Sequence, residues 1–208
     1  MVHMIKFLLI PLILCFSLLP SYSAVKGGID YSIPIDYTKL NQTDLETRAE
    51  FYYNSALKSK KLNEDMSSAL TLYSILTNAY PGNRTYAIKL GKLYDTIGKD
   101  RYAKGQYSKA MNIDHAHPEP YFYLGEYYYS REQYRKALKF YKKAYDNGYS
   151  NHYLTLEQIG TIYQKFGDTE KALQYLQCAS TINQNEELDK KINNIKNNDN
   201  TNKEYYRN

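Results

Sequence analysis

The chain has 208 residues, 43% of them hydrophobic, with 6 prolines and 10 glycines and a mean hydropathy of -0.67. That is enough for one domain or one short array of repeats, and it excludes low-complexity chains and membrane proteins with many spans. A formal charge of +5 is spread along the sequence with no basic block, so nucleic acid is not invoked, because its binders concentrate basic charge on one face.

The first 23 residues, MVHMIKFLLIPLILCFSLLPSYS, read as a secretory signal. Lys6 supplies a short basic start, and Phe7 to Leu19 form an apolar run of thirteen, short of the roughly 20 residues that a spanning helix needs. Ser21 and Ser23 are small residues at the spacing of a signal peptidase site, which puts cleavage near Ser23 or Ala24. The competing reading is an uncleaved anchor; a lipid-attachment signal is disfavoured because Cys15 follows the bulky Leu14 in mid-run. Cleavage leaves Cys178 as the remaining cysteine, a small half-buried residue on a helix, so stability has to come from packing. Residues 24–43, with Gly27-Gly28 and Pro34, read as an extended arm or linker.

From Asp44 onward, amphipathic helical stretches alternate with short turns and no alternating strand pattern competes, so the class is all-α. Residues 44–83 form a first helical hairpin. Thr43 and Glu46 make a capping box before its first helix, and its second helix carries Ala69, Tyr73 and Pro81. It is a degenerate copy of the later hairpins, with Ala56-Leu57 where they have a hydrophobic residue and glycine.

Three segments then repeat: 84–117, 118–151 and 153–186. Leu90-Gly91 precedes Tyr94, Leu124-Gly125 precedes Tyr128, and Ile159-Gly160 precedes Tyr163. Twelve residues after each glycine comes Ala103, Ala137 or Ala172, then Tyr107, Tyr141 or Leu176, then Ala110, Ala144 or Ala179. Gly91 to Gly125 is 34 residues and Gly125 to Gly160 is 35, the extra one falling in DNGYSN. The spacing has a steric reason: glycine and alanine let two helix backbones approach, and the larger residue between the alanines fills the space beyond. Gly98 and Gly167 should end first helices in a left-handed residue, with Asp100 and Asp168 capping the second helices. The middle copy has Glu132 where the others have glycine. Residues 187–197 suit a capping helix, with Leu188, Ile192 and Ile195 on one side, and 198–208 read as a disordered tail.

No catalytic constellation accompanies these helices: there is no phosphate loop, G-x-S-x-G, H-E-x-x-H or paired-cysteine motif, so the chain reads as non-enzymatic. His115 and His117, with Asp114 and Glu119, fall in a proline-rich turn whose spacing converges poorly on a metal. Asn41-Gln-Thr43 and Asn83-Arg-Thr85 match glycosylation acceptors, which would matter only on a eukaryotic secretory route.

The repeated residues resemble the tetratricopeptide repeat family, whose pattern is an aromatic, then L-G-x-x-Y, then A-x-x-x-F-x-x-A, often with a closing proline. This chain departs from it at the first aromatic, with Ala87 and Leu156, and at the proline, with His115, Tyr149 and Gln184. The resemblance implies a right-handed α-solenoid of about four helical hairpins plus a C-terminal capping helix. It also implies a concave groove lined by the first helices, here presenting Lys89, Lys92, Phe122, Tyr123, Glu126, Tyr129, Gln158 and Lys165. The implied partner is a protein or peptide, with no cofactor, metal or small-molecule substrate. The cationic clamp by which some members hold a chaperone's carboxylate end does not carry over, because its places hold Ile88, Lys92, Tyr123, Leu154 and Gln158. The sequence thus reads as an exported scaffold of a bacterial periplasm or envelope, or as an accessory subunit of an envelope machine in secretion, pilus or outer-membrane assembly.

Overall fold

A computed structural model describes the backbone of residues 37–205 and side chains up to Asn197. The expected signal at 1–23 and most of the arm lie outside the described residues. The chain divides at Leu40 into two units. Of the first, a short 3₁₀ turn at Tyr37–Lys39 is described; the second holds the rest of the described chain.

The second unit is entirely helical among the described residues. Four hairpins succeed one another: α1 (Gln42–Ser59) with α2 (Glu64–Ala79), α3 (Arg84–Thr96) with α4 (Asp100–Ile113), α5 (Pro118–Tyr129) with α6 (Tyr134–Asp146), and α7 (Tyr153–Lys165) with α8 (Thr169–Ile182). A last helix, α9 (Glu186–Tyr205), packs on α8. It buries Leu188, Ile192 and Ile195 and continues as far as Tyr205, into the segment expected to be a disordered tail, where no glycine or proline interrupts it.

The repeat spacing is a packing rule. A β-carbon on Gly91 would lie 2.7 Å from the Tyr107 ring, one on Gly125 would lie 2.6 Å from the Tyr141 ring, and one on Gly160 would lie 2.7 Å from Leu176. The large residue of each second helix therefore rests on the bare backbone of the first, and Ala103, Ala137 and Ala172 are fully buried beside it. Ala110, Ala144 and Ala179 are equally buried, and Tyr128 is nearly so, while Tyr94 and Tyr163 are half-buried.

Turn chemistry obeys local rules. Gly98 (φ 69) and Gly167 (φ 78) adopt the left-handed conformation that glycine accepts at no steric cost. In the middle hairpin Glu132 takes the same conformation (φ 57), held by its own N–H donating to Tyr129 O (2.9 Å) and by Gln133 N–H donating to Tyr128 O (3.0 Å). Asp168 caps α8 by accepting from the Lys171 N–H at 3.1 Å. Asp100 does not cap α4. Its carboxylate is engaged by Arg131, which also donates to Asp95 at 2.7 Å and to the Tyr127 carbonyl at 2.8 Å. The guanidinium lies 3.8 Å from the Tyr127 ring centroid, so one arginine ties the third hairpin to the second.

The first hairpin differs from its expected register. Asn41, not Thr43, caps α1, accepting from the Asp44 N–H at 2.9 Å. Glu46 is taken by the Tyr86 hydroxyl and so does not close a capping box. Tyr73 donates to Glu50 at 2.8 Å, as Tyr141 donates to Glu126 at 2.6 Å. That match sets the fully buried Ala49, rather than Leu57, in the place of Gly125. The hairpin is longer instead of missing its small residue, with 18 residues in α1 against 13 in α3.

Candidate functional site

The first helices of neighbouring hairpins lie side by side, and polar side chains bridge them. Lys89 on α3 forms an ion pair with Glu50 on α1 and lies 5.2 Å and 5.7 Å from the Tyr53 and Tyr73 rings. On α3, one turn on, Lys92 places its ammonium 5.2 Å from the ring of Tyr123 on α5. That ring is stacked on Tyr107, with centroids 6.0 Å apart and planes at 10°. At the other end, Lys191 on α9 donates to Glu157 (2.9 Å) and Thr161 (3.3 Å) on α7.

These contacts gather Lys89, Lys92, Tyr123 and Glu126 into one cluster on the face made by α1, α3 and α5. Burial sets its electrostatics. Desolvation pushes the Glu126 carboxyl above its ordinary range, against the opposing pull of the Tyr141 hydroxyl and Lys92. Desolvation also depresses Lys92, opposed by Glu126. Both groups are displaced toward their neutral forms, and burial pushes the Tyr123 phenol up to about 12. The result is a half-buried, amphipathic surface with an aromatic plate, a cation and an acceptor.

The other expected groove residues are placed differently. Phe122 is buried, 9% exposed, and its ring packs against Tyr141 (5.8 Å), Tyr149 (6.1 Å) and His152 (5.0 Å). It seals the junction with the next hairpin and offers no surface to a partner. Tyr129 is half-buried against Tyr134 at 5.4 Å, and the exposed Lys165 reaches the same Tyr134 ring at 4.7 Å; these three form a second, smaller group. Gln158 is half-buried on α7. Sequence reasoning missed Glu50 and Tyr53, because the signal that places them, the Ala49-Glu50 pair, lies outside the 34-residue register.

The tyrosines left open divide similarly: Tyr127 is buried under Arg131, while Tyr134 and Tyr145 are half-buried. His117 caps α5, its Nδ1 accepting from the Glu119 N–H at 3.4 Å, and the His115 carbonyl accepts from Tyr121 at 2.9 Å. Asn41 and Asn83 are both helix caps. Cys178 is exposed on α8 rather than half-buried.

Residues 121–185 match the family model described as tetratricopeptide repeat. Among solved structures, a crystal structure of MamA aligns with a TM-score of 0.52 at 21% identity over 63% of this chain and 74% of that one. MamA from Desulfovibrio magneticus RS-1, residue 41 to the end, gives 0.59 at 13% identity over 74% and 86%. PilF from Pseudomonas aeruginosa gives 0.63 at 15% identity over 76% and 72%. At these identities the likeness is one of fold. No curated protein matches the chain. The packing of Tyr141 on Gly125 and of Leu176 on Gly160, the family match over 121–185 and the shared all-α solenoid agree, and residues 121–185 are of the tetratricopeptide repeat type.

Proposed function

We propose that the protein is an exported, non-catalytic scaffold that binds a protein or peptide on the face lined by α1, α3 and α5. The observation that carries this is the half-buried cluster of Lys92, Tyr123 and Glu126, whose aromatic plate and polar atoms remain accessible while the surrounding rings are fixed by packing. Aromatic residues on a rigid surface make efficient anchors for a polypeptide. The leader over residues 1–23 supports export, with a bacterial periplasm or envelope as the setting.

A photo-crosslinking residue at position 123, with one at the outer position 174 as control, tests the face. The reading expects a partner joined at 123 and absent at 174, and lost when Lys92→Ala is added to a correctly folded chain. Equal labelling at both positions would overturn it. The mass of the protein recovered from its native cells tests export separately, with a mature start near Ala24 expected.

A further inference from the structure

Residues 135–143 hold five cations with uncharged residues between them, and the helix sets these cations on one face. Helix α6 carries Arg135, Lys136, Lys139, Lys142 and Lys143, all exposed, on the side opposite the buried Ala137, Tyr141 and Ala144. The spacing of one, three, three and one residues keeps all five on one stripe, about 12 Å long at the helical rise.

None of the five forms an ion pair with a described carboxylate, whereas Lys89, Arg131, Lys171 and Lys191 each have one. Lys136 donates to Gln133 and lies 5.4 Å over the Tyr128 ring, and Lys143 lies 5.5 Å over the Tyr121 ring. At the matching positions α2 has Ser67, Ser68, Thr71, Ser74 and Ile75, while α8 has the opposite charges Glu170 and Lys171 followed by Gln174, Gln177 and Cys178. Helix α4 adds Arg101 and Lys104, both exposed, and its one acid, Asp100, is already bound by Arg131. Packing does not require this charge, since α2 carries none at the matching positions.

We propose that the outer face of α6 docks the protein on a bilayer surface of anionic phospholipid. Four of the five cations are lysines, point charges that suit a diffuse layer of headgroups, whereas lysine is depleted from specific protein interfaces. Choosing lipid over nucleic acid rests on the exported reading, because the leader brings the folded chain to a membrane and away from nucleic acid.

The test is co-sedimentation of the protein, in the form recovered from its native cells, with vesicles of phosphatidylcholine alone or with 30% (about one lipid in three) phosphatidylglycerol. The readout is the gain in binding from the anionic lipid, which cancels any contribution of a retained leader. A gain is expected that falls at least about 100-fold when all five cations become glutamine, and that salt removes, while Lys61→Gln, at an exposed lysine in the turn between α1 and α2, leaves it unchanged. Circular dichroism confirms that the five-fold variant is folded. The proposal is overturned if anionic lipid gives no gain, if the five-fold variant keeps it, or if a short DNA duplex binds the stripe more tightly than the vesicles at equal salt. A cytoplasmic location with intact lipid binding would remove the export reading and leave the lipid surface standing.

Discussion

The ring of Tyr141 occupies the space where a β-carbon on Gly125 would be, at 2.6 Å. The contact is made by a rigid, buried ring that cannot swing aside, so Gly125→Ala forces the α5 and α6 backbones apart. Overpacking of this kind costs about 1–3 kcal/mol. Gly105, in the middle of α4, has nothing within 4 Å of the same added atom, and Gly105→Ala should stabilise by up to ~1 kcal/mol through helix propensity. Urea unfolding of the two variants should move in opposite directions, and parallel shifts would refute the steric account.

Phe122 and Tyr123 are neighbours with different duties. Phe122→Ala empties a buried site against Tyr141, Tyr149 and His152 and should cost about 3–5 kcal/mol. Tyr123→Ala removes a half-buried plate and should cost about 1–2 kcal/mol, since only part of its ring leaves water. Chemical denaturation measures both, and a smaller loss at Phe122 would contradict its place in the core.

Glu132 holds a left-handed conformation (φ 57) that its glycine counterparts, Gly98 and Gly167, adopt freely. A residue with a β-carbon loses roughly 1–2 kcal/mol there, of which the greater freedom of unfolded glycine returns part. Glu132→Gly should therefore raise stability by about 0.5–1 kcal/mol, seen as a higher melting temperature. Gly167→Ala should lower it.

Glu126 gives a pH signature. Burial raises its folded-state value above the ordinary 4.5, so the native state favours the protonated form. Its contribution is most favourable below about 4.5 and is lost as the pH climbs through the raised folded value. Glu126→Gln keeps an acceptor for the Tyr141 hydroxyl without the charge. Melting curves should show the variant gaining on the wild type as pH rises from about 4 to about 8, and a constant difference would argue against a buried carboxylate.

The repeating part of the fold was legible because its causes are local and steric. Gly91, Gly125 and Gly160 announce themselves at fixed distances from Ala103, Ala137 and Ala172, and Gly98 and Gly167 mark turns that need no other information. What escaped depends on residues distant in sequence. Phe122 reads as surface until Tyr149 and His152 are brought against it by a separate turn. Asp100 reads as a cap until Arg131, 31 residues away, claims it. The first hairpin escaped because its helices are longer, which shifts Ala49 out of the common spacing while leaving its role intact.

Among the described residues, the bridges run from one first helix to the next, Glu50 to Lys89 and Lys92 to Tyr123, and from the last of them to α9, Glu157 to Lys191. Among the described residues, none of these bridges joins α1 to α9. Strain at one end must pass through every intervening junction and weakens at each. The protein can therefore yield at α9 while the α3 and α5 face stays set, so amide exchange should rise in steps from that face toward the carboxyl end.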